Sequence, residues 1–165
     1  MTSGKNVELV GASAGSLRIQ GDKAQTSVQM DTGARKKVSN SLVPAAETMV
    51  PDRVFLNLEN VRGLVDSTAF YVYVGVPEGA NPADHPELLA GSLALFGVRK
   101  ASLTDEEHAG QGLTFVLEIT KIVDALHLTN KFDVDALAVD IVPLKPVPEK
   151  AQISIGRVSI FRQGN

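Results

Sequence analysis

Gly11-Ala12-Ser13-Ala14-Gly15 sets a serine between two glycines in the G-x-S-x-G pattern. In a serine hydrolase that pattern is a tight turn from strand to helix, which lifts the hydroxyl to where a histidine, oriented by a carboxylate, takes its proton. Val7-Glu8-Leu9-Val10 supplies a preceding strand, but Ser16-Leu17-Arg18-Ile19-Gln20 alternates like a second strand and makes a poor helix. The stretch reads as a small-residue turn between strands. The three histidines, His85, His108 and His127, are 23 and 19 residues apart. None forms the i, i+4 pair or close triplet that metal sites use, so they read as surface residues. Asp133-Val134-Asp135 and Asp105-Glu106-Glu107 lack the glycine and closing glutamate of a calcium loop and read as solvated loop charge. Arg35-Lys36-Lys37 is short and has no interleaved aromatic, unlike a nucleic-acid stripe. No P-loop or dinucleotide fingerprint is present. The sequence therefore assigns no catalytic residue and no metal ligand.

Tyr71 and Tyr73 carry a different chemistry. They share one side of Ala69-Phe70-Tyr71-Val72-Tyr73-Val74, while Phe70, Val72 and Val74 share the other. If nothing in the chain covers the tyrosine side, it is an aromatic contact surface for a partner; otherwise both sides are covered from within.

The same two-residue period recurs along the chain. Val54, Leu56 and Leu58 align against Phe55, Asn57 and Glu59. Leu113, Phe115, Leu117 and Ile119 align, as do Leu137, Val139 and Ile141. Further strands are expected at 15–20, 25–31, 90–98 and 151–162, the last with Gly156 marking a bulge or a close backbone approach. Thr120 to Leu128 is the one expected helix, capped by Thr120 and burying Ile122, Val123 and Leu126. Thr32 to Leu42 is a weaker helical stretch because of Gly33. Segments 76–90 and 99–112 and Pro143–Pro148 read as long loops, and Ser39 to Pro51 as the nearest thing to a linker. Many short strands joined by Gly, Pro, Asn and Asp turns predict a mainly β, jelly-roll-like antiparallel sandwich or barrel.

The 165 residues suit one domain, read as N-terminal strands and a linker over 1–50 packing on a β domain over 51–165. There is no cysteine, which removes disulfides and permits a reducing compartment. The net charge of −3 gives no electrostatic reason to seek nucleic acid or anionic lipid. Without a long apolar run or a signal-peptide core, the expectation is a soluble chain in the bacterial cytoplasm. Its abrupt start reads as a piece of something longer.

From Arg53 onward the chain resembles the C-terminal domain of bacterial tyrosinases and polyphenol oxidases. The resemblance rests on an ordered set of segments: strand Val54–Leu58; Phe70-Tyr71-Val72-Tyr73-Val74; Ala90-Gly91-Ser92-Leu93, like the family's Ala-Gly-Ser-Phe; Gly112-Leu113-Thr114 opening a strand and short helix; Val139-Asp140-Ile141-Val142-Pro143, like Val-Thr-Leu-Val-Pro; and Ile153-Ser154-Ile155-Gly156-Arg157-Val158-Ser159-Ile160, like Val-Thr-Ile-Gly-Gly-Ile-Lys-Ile. Together they cover about two-thirds of the chain. Lys131-Phe132-Asp133-Val134 spells the letters that label the plant domain, but it follows the short helix instead of preceding Ala-Gly-Ser. The resemblance implies a sandwich packed on a type-3 dicopper oxidase domain, covering its entrance, holding it latent and assisting folding or assembly. It implies two copper ions in that partner and none in this chain, since six histidines hold the pair. An anchor would enter the oxidase pocket, and the candidates are Phe96, in Leu95-Phe96-Gly97, and the Tyr71/Tyr73 face. The alternative is a generic jelly-roll interaction or carbohydrate-binding module.

Overall fold

The computed structural model describes residues 6–42, 52–64, 69–95, 98, 102 and 112–164. Among the described residues, nine strands form one sheet in which every pairing is antiparallel. They are β1 (Asn6–Ala12), β2 (Leu17–Ile19), β3 (Ala24–Met30), β4 (Arg53–Arg62), β5 (Ala69–Val74), β6 (Leu89–Ala94), β7 (Leu113–Glu118), β8 (Ala136–Pro143) and β9 (Ile153–Gly164). The spatial order is β6-β5-β8-β3-β1-β9-β4-β7, with β2 paired to one end of β9. The sheet rolls up until its edges meet: a Cβ added to Gly91 of β6 would lie 3.0 Å from a Leu117 methyl on β7. The result is a nearly closed barrel-like sandwich, the expected fold class. Near-closure leaves little exposed strand edge for other chains to pair with.

Alternation explains why this sheet closes on itself. Val54, Leu56 and Leu58 of β4, Phe70 and Val72 of β5, Val139 and Ile141 of β8, and Ile153, Ile155 and Ile160 of β9 all fall on the inner side and are buried. Burying such side chains contributes roughly 1.5–3 kcal/mol each, set against the entropy of ordering the strands. β1 and β3 lie in mid-sheet, between β9 and β8, so the N-terminal strands are integral to the same core.

Gly156 is a close approach, as the sequence suggests. β4 bulges between Leu58 and Val61, placing Asn60 at φ 55°. A Cβ on Gly156 would lie 2.8 Å from the Asn60 Cβ.

The helices differ from expectation in two ways. Among the described residues, α1 (Thr32–Ser41) forms in full beside α2 (Thr120–Leu128), where the sequence offered only a weaker helical stretch. Gly33 does not prevent α1, because it lies in the first turn and Asp31 caps the helix by accepting a hydrogen bond from the Ala34 N–H at 2.8 Å. In α2, Ile122, Val123 and Leu126 are buried as expected, but Thr120 is not the cap. Ile119 holds that position without a side-chain bond. The Thr120 hydroxyl instead accepts from the Val54 N–H and donates to Glu118, tying the helix start to β4 and β7.

Candidate interaction surface

The serine motif is a turn. The Ser13 N–H donates to the Val158 carbonyl at 2.7 Å, and the Ser13 hydroxyl accepts from the Val158 N–H at 2.9 Å. Strand β2 follows, not a helix, so Ser13 pins the β1–β2 turn onto β9 and has no nucleophile's setting. His85 Nδ1 lies 3.0 Å from Glu87 on a surface loop, and His127 lies in the last turn of α2. His108 lies outside the described residues. Among the described residues, no three His, Cys, Asp or Glu side chains gather to hold a metal.

The loop aspartates and the basic triplet are partly one device. Arg35 is buried, donates to the Val134 carbonyl and pairs with Asp133 at 2.9 Å and Asp135 at 3.6 Å. This locks α1 to the loop entering β8. Lys37 is spent on Glu8 at 3.0 Å. The acidic cluster Asp133-Val134-Asp135 is therefore a latch as well as solvated charge.

The two tyrosines lie on the outer side of β5, as alternation requires, but their exposure differs. Tyr71 is half-buried, whereas Tyr73 is 9% exposed and belongs to the hydrophobic core. Of the two alternatives, Tyr73 follows the covered one, since its side chain is buried within the chain. Tyr73 stands in register with Asp140 of β8, whose side chain is fully buried. Neither Asp140 oxygen accepts a hydrogen bond, and Lys23 is the nearest cation, its Nζ 3.7 Å away. Burial pushes the Asp140 carboxyl above its usual range, and Lys23 only partly opposes that. Phe96, the other expected anchor, lies outside the described residues.

A different outward face is apolar. Val7 of β1, Phe55 of β4, Val116 of β7 and Phe161 of β9 line a shallow groove around Asn57. Pairing builds it: Phe55 opposes Phe161, Phe161 opposes Leu9, and Asn57 opposes Val116. Val7, Val116 and Leu9 are 63%, 58% and 40% exposed. The Asn57 carboxamide oxygen on the groove floor has no hydrogen-bond partner. Ion pairs flank the groove. Arg53 holds Glu118 at 2.9 Å and stacks over the Phe55 ring, its guanidinium carbon 5.1 Å from the centroid. Arg157 reaches Glu59 at 2.7 Å, with the Ser159 hydroxyl donating to the same carboxylate. These partners hold the Glu118 and Glu59 carboxyls below their usual range. Sequence reading missed this face because Phe55 counted only as the off-phase member of a strand. The signal was there: Phe55, Val116 and Phe161 are apolar at outward positions, where alternation calls for polar residues.

The profile of a family described as "Domain of unknown function (DUF7868)" matches residues 6–163. The chain belongs to this family. Tyrosinase HcTyr1 of Hahella sp. (strain CCB-MM4) is 26% identical to this DUF7868 chain over 148 residues, covering 80% of the chain and 31% of the tyrosinase. The chain thus spans under a third of that relative. Among solved structures, a recombinantly expressed latent aurone synthase (polyphenol oxidase) shares the fold with a TM-score of 0.54 at 11% identity, over 88% of this chain and 25% of that one. Latent apple tyrosinase (MdPPO1) matches at 19% identity and a TM-score of 0.47, over 87% and 27%. The chain thus matches only a part of each of these proteins, and the tyrosinase relative is in line with the resemblance read from Arg53 onward.

Proposed function

We propose that this DUF7868 chain is the non-catalytic covering domain of a type-3 dicopper tyrosinase or polyphenol oxidase, carried in the same or a companion chain. In this role it shields the active-site entrance and assists folding or assembly. The observation that carries the reading is the match to the part of a tyrosinase outside its catalytic region. The copper pair would belong to the partner. Three histidines in the whole sequence, with His85 engaged by Glu87, do not make a six-histidine site.

The chemistry gives the domain its purpose. A phenol-oxidising site has to admit aromatic substrates, and left open it oxidises whatever phenols it meets. A closely packed cover of at least roughly 1,000 Å² of total buried surface stops that without altering the catalytic residues. In this reading Phe96 is the first candidate to enter the pocket. Tyr71 is the second, and Tyr73 contributes by supporting it. A cysteine-free chain suits a cytoplasmic setting, which goes with the same proposal.

The test is direct. Copper-loaded oxidase region of the Hahella tyrosinase, freed of its own matched domain, is assayed for phenol oxidation with and without this chain. Its rate alone shows that it is folded. The expected result is co-elution and a rate that falls as the chain is added, with less than stoichiometric copper in the chain itself. Unchanged rates without co-elution would sink the proposal. Glycan retention by the isolated chain would point to the carbohydrate-binding alternative.

A further inference from the structure

We infer that the groove lined by Val7, Phe55, Val116 and Phe161, with Leu9 opposite Phe161 beside it, is the seat on which the oxidase domain rests, through an apolar and uncharged patch of that partner. The inference rests on the covering role proposed above and says which face performs it.

Three observations select this occupant. The first is size. The exposed fractions of Val7, Leu9 and Val116, with the two half-buried phenylalanines, add up to a few hundred Å² of apolar surface, the scale of a functional patch on a monomer. A free pair of chains needs roughly 800 Å² from each partner. The groove alone is therefore too small to hold a second copy, but it suits one part of the larger cover that the proposed role requires. The second is charge. Arg53, Glu118, Glu59 and Arg157 are already paired within the chain, so these flanking charges are matched and favour an uncharged partner surface. The third is position. β1 begins at Asn6, so the chain enters the domain beside Val7, at the groove itself. In the Hahella tyrosinase, over two-thirds of the protein lies outside the matched region, which leaves a large body for such a seat to meet.

The experiment compares the unaltered chain with Val116→Asp and Val7→Asp, and with Leu144→Asp as an exposed apolar control away from the groove. The milder Val116→Thr keeps the β-branch should a charge disturb β7. Binding to the active oxidase region and inhibition of phenol oxidation are measured, with thermal melts to confirm folding. The expected result is at least tenfold weaker binding and inhibition for the two aspartate variants, a smaller loss for Val116→Thr, and no change for Leu144→Asp. If the unaltered chain inhibits and every folded groove variant inhibits equally, the seat lies elsewhere and only this inference falls. If the unaltered chain neither binds nor inhibits, the covering role falls and takes the inference with it. A stable dimer of the unaltered chain in sedimentation, dissolved by Val116→Asp, would assign the groove to a second copy instead.

Discussion

Asp140 is fully buried, its two carboxylate oxygens accept no hydrogen bond, and one lysine at 3.7 Å stands in partial compensation. Its folded-state pKa lies above the ordinary aspartate value, chiefly through burial, so the folded protein binds this proton more readily than the unfolded chain does. Ionised Asp140 therefore penalises the fold above its folded pKa. The penalty shrinks as pH falls through that value and vanishes below the unfolded one. Asp140→Asn should raise the melting temperature near neutral pH and flatten its change as pH falls toward the ordinary aspartate range. A lower melting temperature with an unchanged pH profile would show that the Lys23 pair outweighs the burial. Little of this was visible in the sequence. Asp140 sits at the polar phase of Leu137-Ala138-Val139-Asp140-Ile141, and alternation says which side a residue takes but not whether that side is covered. For the same reason the sequence leaves open whether the Tyr73 side is covered, and the structure buries it.

Elements were the more legible scale. Wherever one side of a strand meets the core, the two-residue period survives in the sequence, so β4, β5, β7 and β8 were readable from their apolar phase alone. Helix α1 was undervalued because its determinant is a single cap, Asp31, placed just before a glycine that argues the other way. Long-range pairing left no local trace at all. Arg162 of β9 donates from Nε to Asp52 at 2.6 Å and reaches Glu8 of β1 at 3.1 Å, while Lys37 of α1 grips the same Glu8. This network joins β1, β9, α1 and the entry to β4. Asp52 is buried, so Arg162→Met strands a carboxylate and should cost about 3–5 kcal/mol, read as a lower urea midpoint with an unchanged slope. Arg162→Lys should recover only part of it, because an ammonium cannot hold Asp52 and Glu8 with a planar fork. Equal stability of all three proteins would show the network to be incidental.

For the molecule as a whole, the decisive event is closure of the sheet, where β6 and β7 pack edge to edge through Gly91 and Leu117 without joining the ladder. Leu117→Ala should loosen this seam, costing about 2–3 kcal/mol and raising amide exchange in β6 and β7 ahead of β8 and β9. Uniform exchange across all strands would show that the barrel opens only as a unit. The fold class could be read from strand count and turns, but the order of strands could not, since a sequence does not announce which distant runs will meet. That order has a consequence for synthesis. β9 pairs with β1, β2 and β4, so nearly half of the sheet waits on the last strand to be made. While the ribosome is still producing Ile153 to Gly164, β1 and β4 have emerged with their inner valines and leucines unsheltered, and loop closures of more than a hundred residues remain outstanding. The nascent chain should therefore depend on chaperones, or on a neighbouring folded surface, until its final strand is free to insert.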